Sequence, residues 1–497
     1  MTSIPFQKSF FLSPPHPKTS FPTHSITMGN LISTLRWRFT SSIFSLSRIR
    51  RLFKATKSLS STSTRNLPTT NTTTPHISEK PKHILILGGA YAGLSTVVNL
   101  QKLLSGAPHQ PGPYNLPSVP NLPRTPPRIT ILDERDGIYH TVGTPLVHTS
   151  PDVSTTIPRA WKKFADIPYL KDVFIVQGRV ERVDPERKEV VYASPTSDEK
   201  SMAYDYLVCA TGLQRDWPAQ PRATTKEEYI RDATALVAGL VDAKERIVVI
   251  GGGAVGTEFA GELKLTHPGK KITLIHSRST LLSSEPLPQE FKTKALEFLR
   301  ESGVEVLLNT RVDAEVGNGS LLLSTGETIN TSAIIWCVGR QHPSTSYLPP
   351  SALDKLAGLV RVSASLTFPT TVPNHNSHFA IGDIAQWSGI KRCGTALLMG
   401  CFAATNLLLS IVAAENGEEV KLAEFPEMVA MLVLALGEKA VMFHPEKGLT
   451  HGVEPLVQSF GEDLGLREYM GMAFWMGTWV LFDCIFGFLF IWMEWDV

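Results

Sequence analysis

The chain of 497 residues is 42% hydrophobic and 19% charged, with a formal net charge of +2. That length suffices for about three domains, and the composition excludes a disordered or collagen-like chain. Ten Lys and Arg and no acid precede Glu79, which leaves −8 on the remainder and disfavours a nucleic-acid-binding body, whose positive charge would sit on folded faces.

Residues 1–80 are rich in Ser, Thr, Pro and Arg and read as a basic targeting or disordered leader. Within them, 31–53 mixes apolar residues with Arg36, Arg38, Arg48, Arg50 and Arg51, a pattern that suits a surface-seeking amphipathic helix. Met28-Gly29-Asn30-Leu31-Ile32-Ser33 matches an N-myristoylation signal if translation starts at Met28, whereas a start at Met1 leaves an acid-free leader that resembles a mitochondrial presequence. The expected location is accordingly membrane-associated, on a cytoplasmic face or in the mitochondrion.

Folding is expected to begin at 82–87, a short apolar run closed by Gly88-Gly89, which reads as a buried parallel strand. A helix follows over about 91–104, then a Pro-rich surface insertion, then a second strand at 128–132. The same strand, helix, strand grammar returns at 246–250, from 256 to about 265, and at 271–275. Two dinucleotide folds therefore lie in one chain, in an α/β architecture.

A dinucleotide site needs a tight turn, a close backbone approach to the pyrophosphate, and a helix N-terminus aimed at negative charge. Gly251-Gly252-Gly253-Ala254-Val255-Gly256 follows a strand, opens a helix and supplies all three. In Gly88-Gly89-Ala90-Tyr91-Ala92-Gly93 the second glycine is replaced by Ala90, and the acid of the fingerprint is Asp133, carried further downstream by the Pro-rich insertion. The second fold ends its next strand in His276-Ser277-Arg278 instead of an acid. NAD-selective sites use Asp or Glu there for the ribose 2′-OH, whereas a nearby Arg accommodates a 2′-phosphate, so NADPH is expected to serve at least as well as NADH. Further strand ends occur at Ala210-Thr211-Gly212, at Cys337-Val338-Gly339 and at Gly382-Asp383.

The five cysteines, Cys209, Cys337, Cys393, Cys401 and Cys484, include no closely spaced pair and no metal-ligand spacing. No metal site is expected, and a disulfide reductase, which needs a thiol pair, is argued against. The stretch 470–493 holds Asp483 as its only charge and is long and apolar enough to span a bilayer at about 20 residues; a buried or a surface-lying helix is the alternative.

The order of these motifs resembles the two-dinucleotide-binding flavoprotein oxidoreductases, and within them the apoptosis-inducing-factor-like branch that includes ferroptosis suppressor protein, with type II NADH dehydrogenases as relatives. The resemblance implies two Rossmann-like domains, one for FAD and one for NAD(P)H, and a C-terminal segment. The corresponding ranges are 81–213 and 331–410 for the FAD domain, 214–330 for the NAD(P)H domain and 411–469 for the C-terminal segment; 470–493, a candidate transmembrane or membrane-associated helix, departs from the soluble C-termini of the family. By the same resemblance Gly88, Gly93, Asp133, Thr211, Gly212 and Asp383 hold FAD, while Gly251, Gly253, Gly256 and Glu258 line the nicotinamide site. The cofactor-binding set is completed by Gly89, Ala90, Val180, Ala210, Gly339 and Gly382, beside His276 and Arg278. Lys391 falls where the family brings a lysine near the flavin ring, and Glu258 and Lys391 are the only catalytic candidates. The implied activity passes a hydride from NAD(P)H to FAD and electrons on to a quinone-type acceptor. A redox-gated signalling protein with incidental NAD(P)H oxidation is the alternative.

Overall fold

The computed structural model describes residues 80–106, 114, 116–317, 319–339 and 342–467. The expectations for the leader and for 470–493 lie outside these residues. In chain order the elements that build the site are β1 (His83–Leu87), α1 (Tyr91–Leu104), β2 (Arg128–Asp133), β3 (Phe174–Gln177), β4 (Tyr206–Cys209), α2 (Lys226–Asp242), β5 (Arg246–Ile250), α3 (Ala254–Thr266), β6 (Lys271–Ile275), α4 (Gln289–Glu301) and β7 (Glu305–Leu307). They continue with β8 (Ala333–Trp336), β9 (His378–Ala380), α5 (Cys393–Asn416), β10 (Leu432–Leu436), β11 (Lys439–His444), β12 (Gly448–Gly452) and α6 (Val453–Phe460).

The first sheet has the parallel order β9-β4-β1-β2-β3. Its central strand is apolar throughout because both faces are covered: Ile84 and Ile86 enter one core with Val97, Leu100 and Phe402, while Leu85 and Leu87 enter another with Leu207 and Phe368. Helix α5 lies against α1, an approach that requires Gly400, where a Cβ would come within 2.7 Å of the Ala92 carbonyl oxygen. Ser95 Oγ donates to the Leu397 carbonyl at 2.6 Å across the same contact. By length and composition α5 could cross a membrane, but its most apolar window is 89% buried, which makes it a core helix here. It runs to Asn416 and stops at Gly417 in the left-handed region, so six residues assigned from sequence to the C-terminal segment belong to it.

The second sheet has the parallel order β7-β6-β5-β8. Ile247 pairs with Ala333 and Ile250 with Trp336, so β8 is the fourth strand of the NAD(P)H fold. The boundary expected at 330 is therefore too early; nothing in the local pattern of β8 reveals which of two parallel sheets it joins. Helix α4 buries Phe291, Ala295, Phe298 and Leu299, the one-face spacing of an amphipathic helix, against this sheet.

After α5 the chain forms the antiparallel sheet β10-β11-β12 and the short helix α6. Leu432, Leu434, Leu436 and Val441 share the core of the second sheet. Gly261 of α3 permits the contact, because a Cβ there would lie 2.9 Å from the Gly437 nitrogen.

Candidate functional site

The two glycine loops open onto one cavity of about 750 Å³, within the size range of small-molecule sites. At the β1–α1 turn Gly88 has φ +99°, and a Cβ would lie 2.5 Å from the Ala210 carbonyl oxygen. Gly251 repeats this at β5–α3 with φ +112° and a Cβ position 2.6 Å from the Cys337 carbonyl oxygen. At Gly93 and Gly256 a side chain would overlap the carbonyl oxygens of Gly88 and Gly251, so these residues let each helix sit close on its strand. Gly253 differs: nothing lies within 4 Å of its Cβ position, which points into the cavity. Ala90 holds the equivalent place in the first loop and lines the cavity with its methyl group.

Each loop is tied to the end of the next strand. Asp133 Oδ2 accepts from Gly89 N–H at 2.6 Å, and Oδ1 from Arg135 N–H at 2.8 Å. Burial pushes the Asp133 pKa up, while Arg135 and the two backbone N–H groups hold it down. In the second fold the acceptor is His276 Nδ1, 3.1 Å from Gly252 N.

The helix ends and the cations on the wall fit a dinucleotide diphosphate. Neither α1 nor α3 has an acid in its first turn or a side-chain cap, so no carboxylate offsets the positive end of either helix. Arg135 and Arg215 both line the cavity, and the Nε of each is buried with no hydrogen-bond partner. Arg215 Nη2 is 3.5 Å from Asp383 Oδ2. A diphosphate satisfies such guanidinium edges and helix ends together. The residues present thus fit FAD along the first loop, with Gly88, Ala90, Asp133, Ala210, Thr211, Gly212, Gly382 and Asp383 on the wall. They fit a nicotinamide nucleotide along the second, with Gly251, Gly253, Glu258, His276, Arg278 and Gly339.

Five of the residues expected at the site are not on the wall. Gly89, Gly93 and Gly256 act in packing, Gly89 because a side chain there would strike the Phe164 ring. Val180 sits on the antiparallel strand Arg179–Asp184 and packs against the core that contains Leu85 and Leu207. Lys391 turns its Nζ to the Asp383 carbonyl at 3.2 Å, and burial lowers its pKa to about 8. Glu258 does reach the wall; loss of surrounding water pushes its pKa up to about 8, against the pull of Arg392, with buried Glu262 one turn on adding to the rise.

Several wall residues carry no motif. Tyr91 lines the cavity, and its hydroxyl lies 2.9 Å from His140 Nδ1. His140 Nε2 donates to the Leu464 carbonyl at 2.8 Å, which leaves Nδ1 to accept from the tyrosine, and burial lowers its pKa to about 4. Met428, Val429, Met431, Leu432, Val433, Leu434, Phe460 and Leu464 form an apolar side of the cavity. Arg135, two residues after Asp133, was within reach of sequence reasoning; the C-terminal wall had no local signal.

The family model described as pyridine nucleotide-disulphide oxidoreductase matches residues 82–400. The chain belongs to this family. It is an FAD-dependent oxidoreductase that takes NAD(P)H as substrate. It is 40% identical over 402 residues to oxidoreductase OXR1 of Ajellomyces capsulatus, covering 78% of this chain and 86% of that one. It is 26% identical over 342 residues to ferroptosis suppressor protein 1 of Homo sapiens, covering 66% and 81%. In fold it is similar to NDH2 from Plasmodium falciparum in complex with NADH, with a TM-score of 0.56 at 13% identity over 81% of this chain and 99% of that one. The family name includes disulphides, yet Cys209, Cys337, Cys393 and Cys401 are all free. Cys337 and Cys393 reach the wall, where burial pushes both thiols up to about 12 and keeps them protonated.

Proposed function

We propose that the protein moves electrons from NAD(P)H to a lipophilic quinone. The observation that carries this reading is the apolar side of the cavity contributed by the C-terminal segment, from Met428 to Leu434 with Phe460 and Leu464. An apolar wall beside two phosphate-binding loops suits the flat rings of the nucleotides and also an acceptor that partitions into lipid. The overall reaction converts NAD(P)H, a proton and quinone into NAD(P)+ and quinol. FAD held along the first loop by Gly88, Asp133, Thr211, Gly212 and Asp383 would supply the two-electron redox chemistry that links the nicotinamide to the acceptor.

The chain's own residues bind, orient and control protons. The two glycine loops and Arg135 and Arg215 hold the nucleotide phosphates, and Asp133 holds the first loop in shape. Glu258 holds a proton on its carboxyl group at neutral pH, because burial pushes its pKa up to about 8 against the pull of Arg392. A quinone of this kind resides in a bilayer, so the reading includes a membrane surface as the place of work.

Stopped-flow reoxidation tests it. Holoprotein reduced anaerobically with NADH or NADPH is mixed with a ubiquinone analogue or with air-saturated buffer, and quinone should reoxidise the flavin faster. A rate with quinone no greater than that of free FAD would favour a redox-gated signalling role instead.

A further inference from the structure

The chain contains the same device twice with different chemistry. In each dinucleotide fold the N–H of the second loop residue donates to a side chain at the end of the following strand. In the first fold the acceptor is the Asp133 carboxylate, and in the second it is a ring nitrogen of His276. We infer that His276 opens the second loop to a ribose 2′-phosphate, because it supplies the hydrogen-bond acceptor that the loop requires without the negative charge that would repel the phosphate. This rests on reading Gly251 to Gly256 as the NAD(P)H site, and it names the form of nucleotide that site selects.

The surroundings agree in sign and position. His276 Nδ1 can accept from Gly252 only while it is unprotonated, and burial lowers the ring's pKa, which keeps it neutral. Its Nε2 lies 3.3 Å from Ser283 Oγ, so the ring is held at both nitrogens. The backbone on either side is fixed as well: Thr310 N–H donates to the His276 carbonyl and Leu282 N–H to the Gly252 carbonyl. Ser277, Arg278, Ser283 and Ser284 line the same part of the cavity. Arg278 is exposed and forms no ion pair among the described residues, while Glu285, further along the loop, is paired with Arg392 at 2.9 Å. The pocket therefore offers hydroxyls, a cation and a neutral acceptor where an NAD-selective site would present a carboxylate.

Calorimetric titration of the FAD-loaded protein with adenosine 2′,5′-bisphosphate and with 5′-AMP isolates the 2′-phosphate from the redox reaction. Wild type should bind the bisphosphate more tightly by about tenfold or more. His276→Asp should abolish that preference, and His276→Asn, which keeps a neutral acceptor for Gly252 N–H, should preserve it. Equal affinity of wild type for the two ligands, or a preference that survives His276→Asp, overturns the inference. If the Asp variant does not fold, as judged by its flavin spectrum, the Asn variant decides: loss of preference in a folded Asn protein overturns the inference, and retention supports it. Binding of neither ligand to wild type would overturn the placement of the nucleotide on this loop, and the proposed function with it.

Discussion

Alanine at Gly256 and at Gly253, introduced one at a time, separates the structural and ligand-facing duties of the second glycine loop. At Gly256 the new methyl would overlap the Gly251 carbonyl oxygen and lie 3.0 Å from its carbon and 3.1 Å from Cys337 Cβ. Carbon contacts ordinarily settle at about 3.5–4.0 Å, and a backbone carbonyl cannot turn aside as a flexible side chain can. Helix α3 must back away from β5, and with it Phe259 and Leu263, both fully buried. Overpacking of this kind costs about 3 kcal/mol, or roughly 6–12 °C in melting temperature for a domain of this size. At Gly253 the φ is −77° and the Cβ position is open, so the fold should lose about half a kcal/mol, roughly 2 °C or less. The methyl would instead occupy space reserved for the pyrophosphate, and affinity for NADPH should fall about tenfold. Thermal melting followed by flavin fluorescence, with NADPH titration of each variant, reads both effects. Gly256→Ala melting with wild type, or Gly253→Ala binding NADPH as tightly as wild type, would refute the division of labour.

Asp133→Ala removes the acceptor of two backbone N–H groups, each worth about 1–3 kcal/mol when left unpaired, so the protein should purify with little flavin; a normal ratio of flavin to protein absorbance would contradict this. Val429 is a partly exposed member of the apolar wall, and Val429→Asp should slow turnover with a ubiquinone analogue about tenfold while ferricyanide reduction falls much less. Equal losses with both acceptors would count against the quinone site. Glu262 is buried, with its pKa pushed up to about 8 by desolvation, so the folded state keeps a proton that the unfolded state releases above the ordinary carboxyl range. Stability from this group is therefore lost as pH rises from about 4.5 towards 8. Glu262→Gln should match wild type in melting temperature near pH 5 and exceed it at pH 9; parallel curves would refute the assignment.

Much of the site was legible because its determinants are local. Both Gly-rich turns follow apolar strands and open helices within a few residues, and β1, β5 and β6 lie where short apolar runs place them. Asp133 was found despite the long insertion, because the strand that carries it has its own apolar signature. What the sequence by itself determined is thus the two dinucleotide folds and the residues of their turns.

Only the tertiary structure decided the rest, since it depends on segments far apart in the chain. Ala333–Trp336 reads as a buried strand in either sheet, and only its pairing with Arg246–Ile250 assigns it. Arg215 reaches Asp383 across 168 positions, and both join the same cavity as Arg135. The apolar wall arises because Gly261 lets β10 approach α3, a contact between residues that share no motif. The replacement of a carboxylate by His276 was visible in the sequence, but that its ring accepts the Gly252 N–H was not. Hydrogen-bond geometry at the end of a strand depends on where the neighbouring turn is held, and that position is set by packing, not by the order of residues.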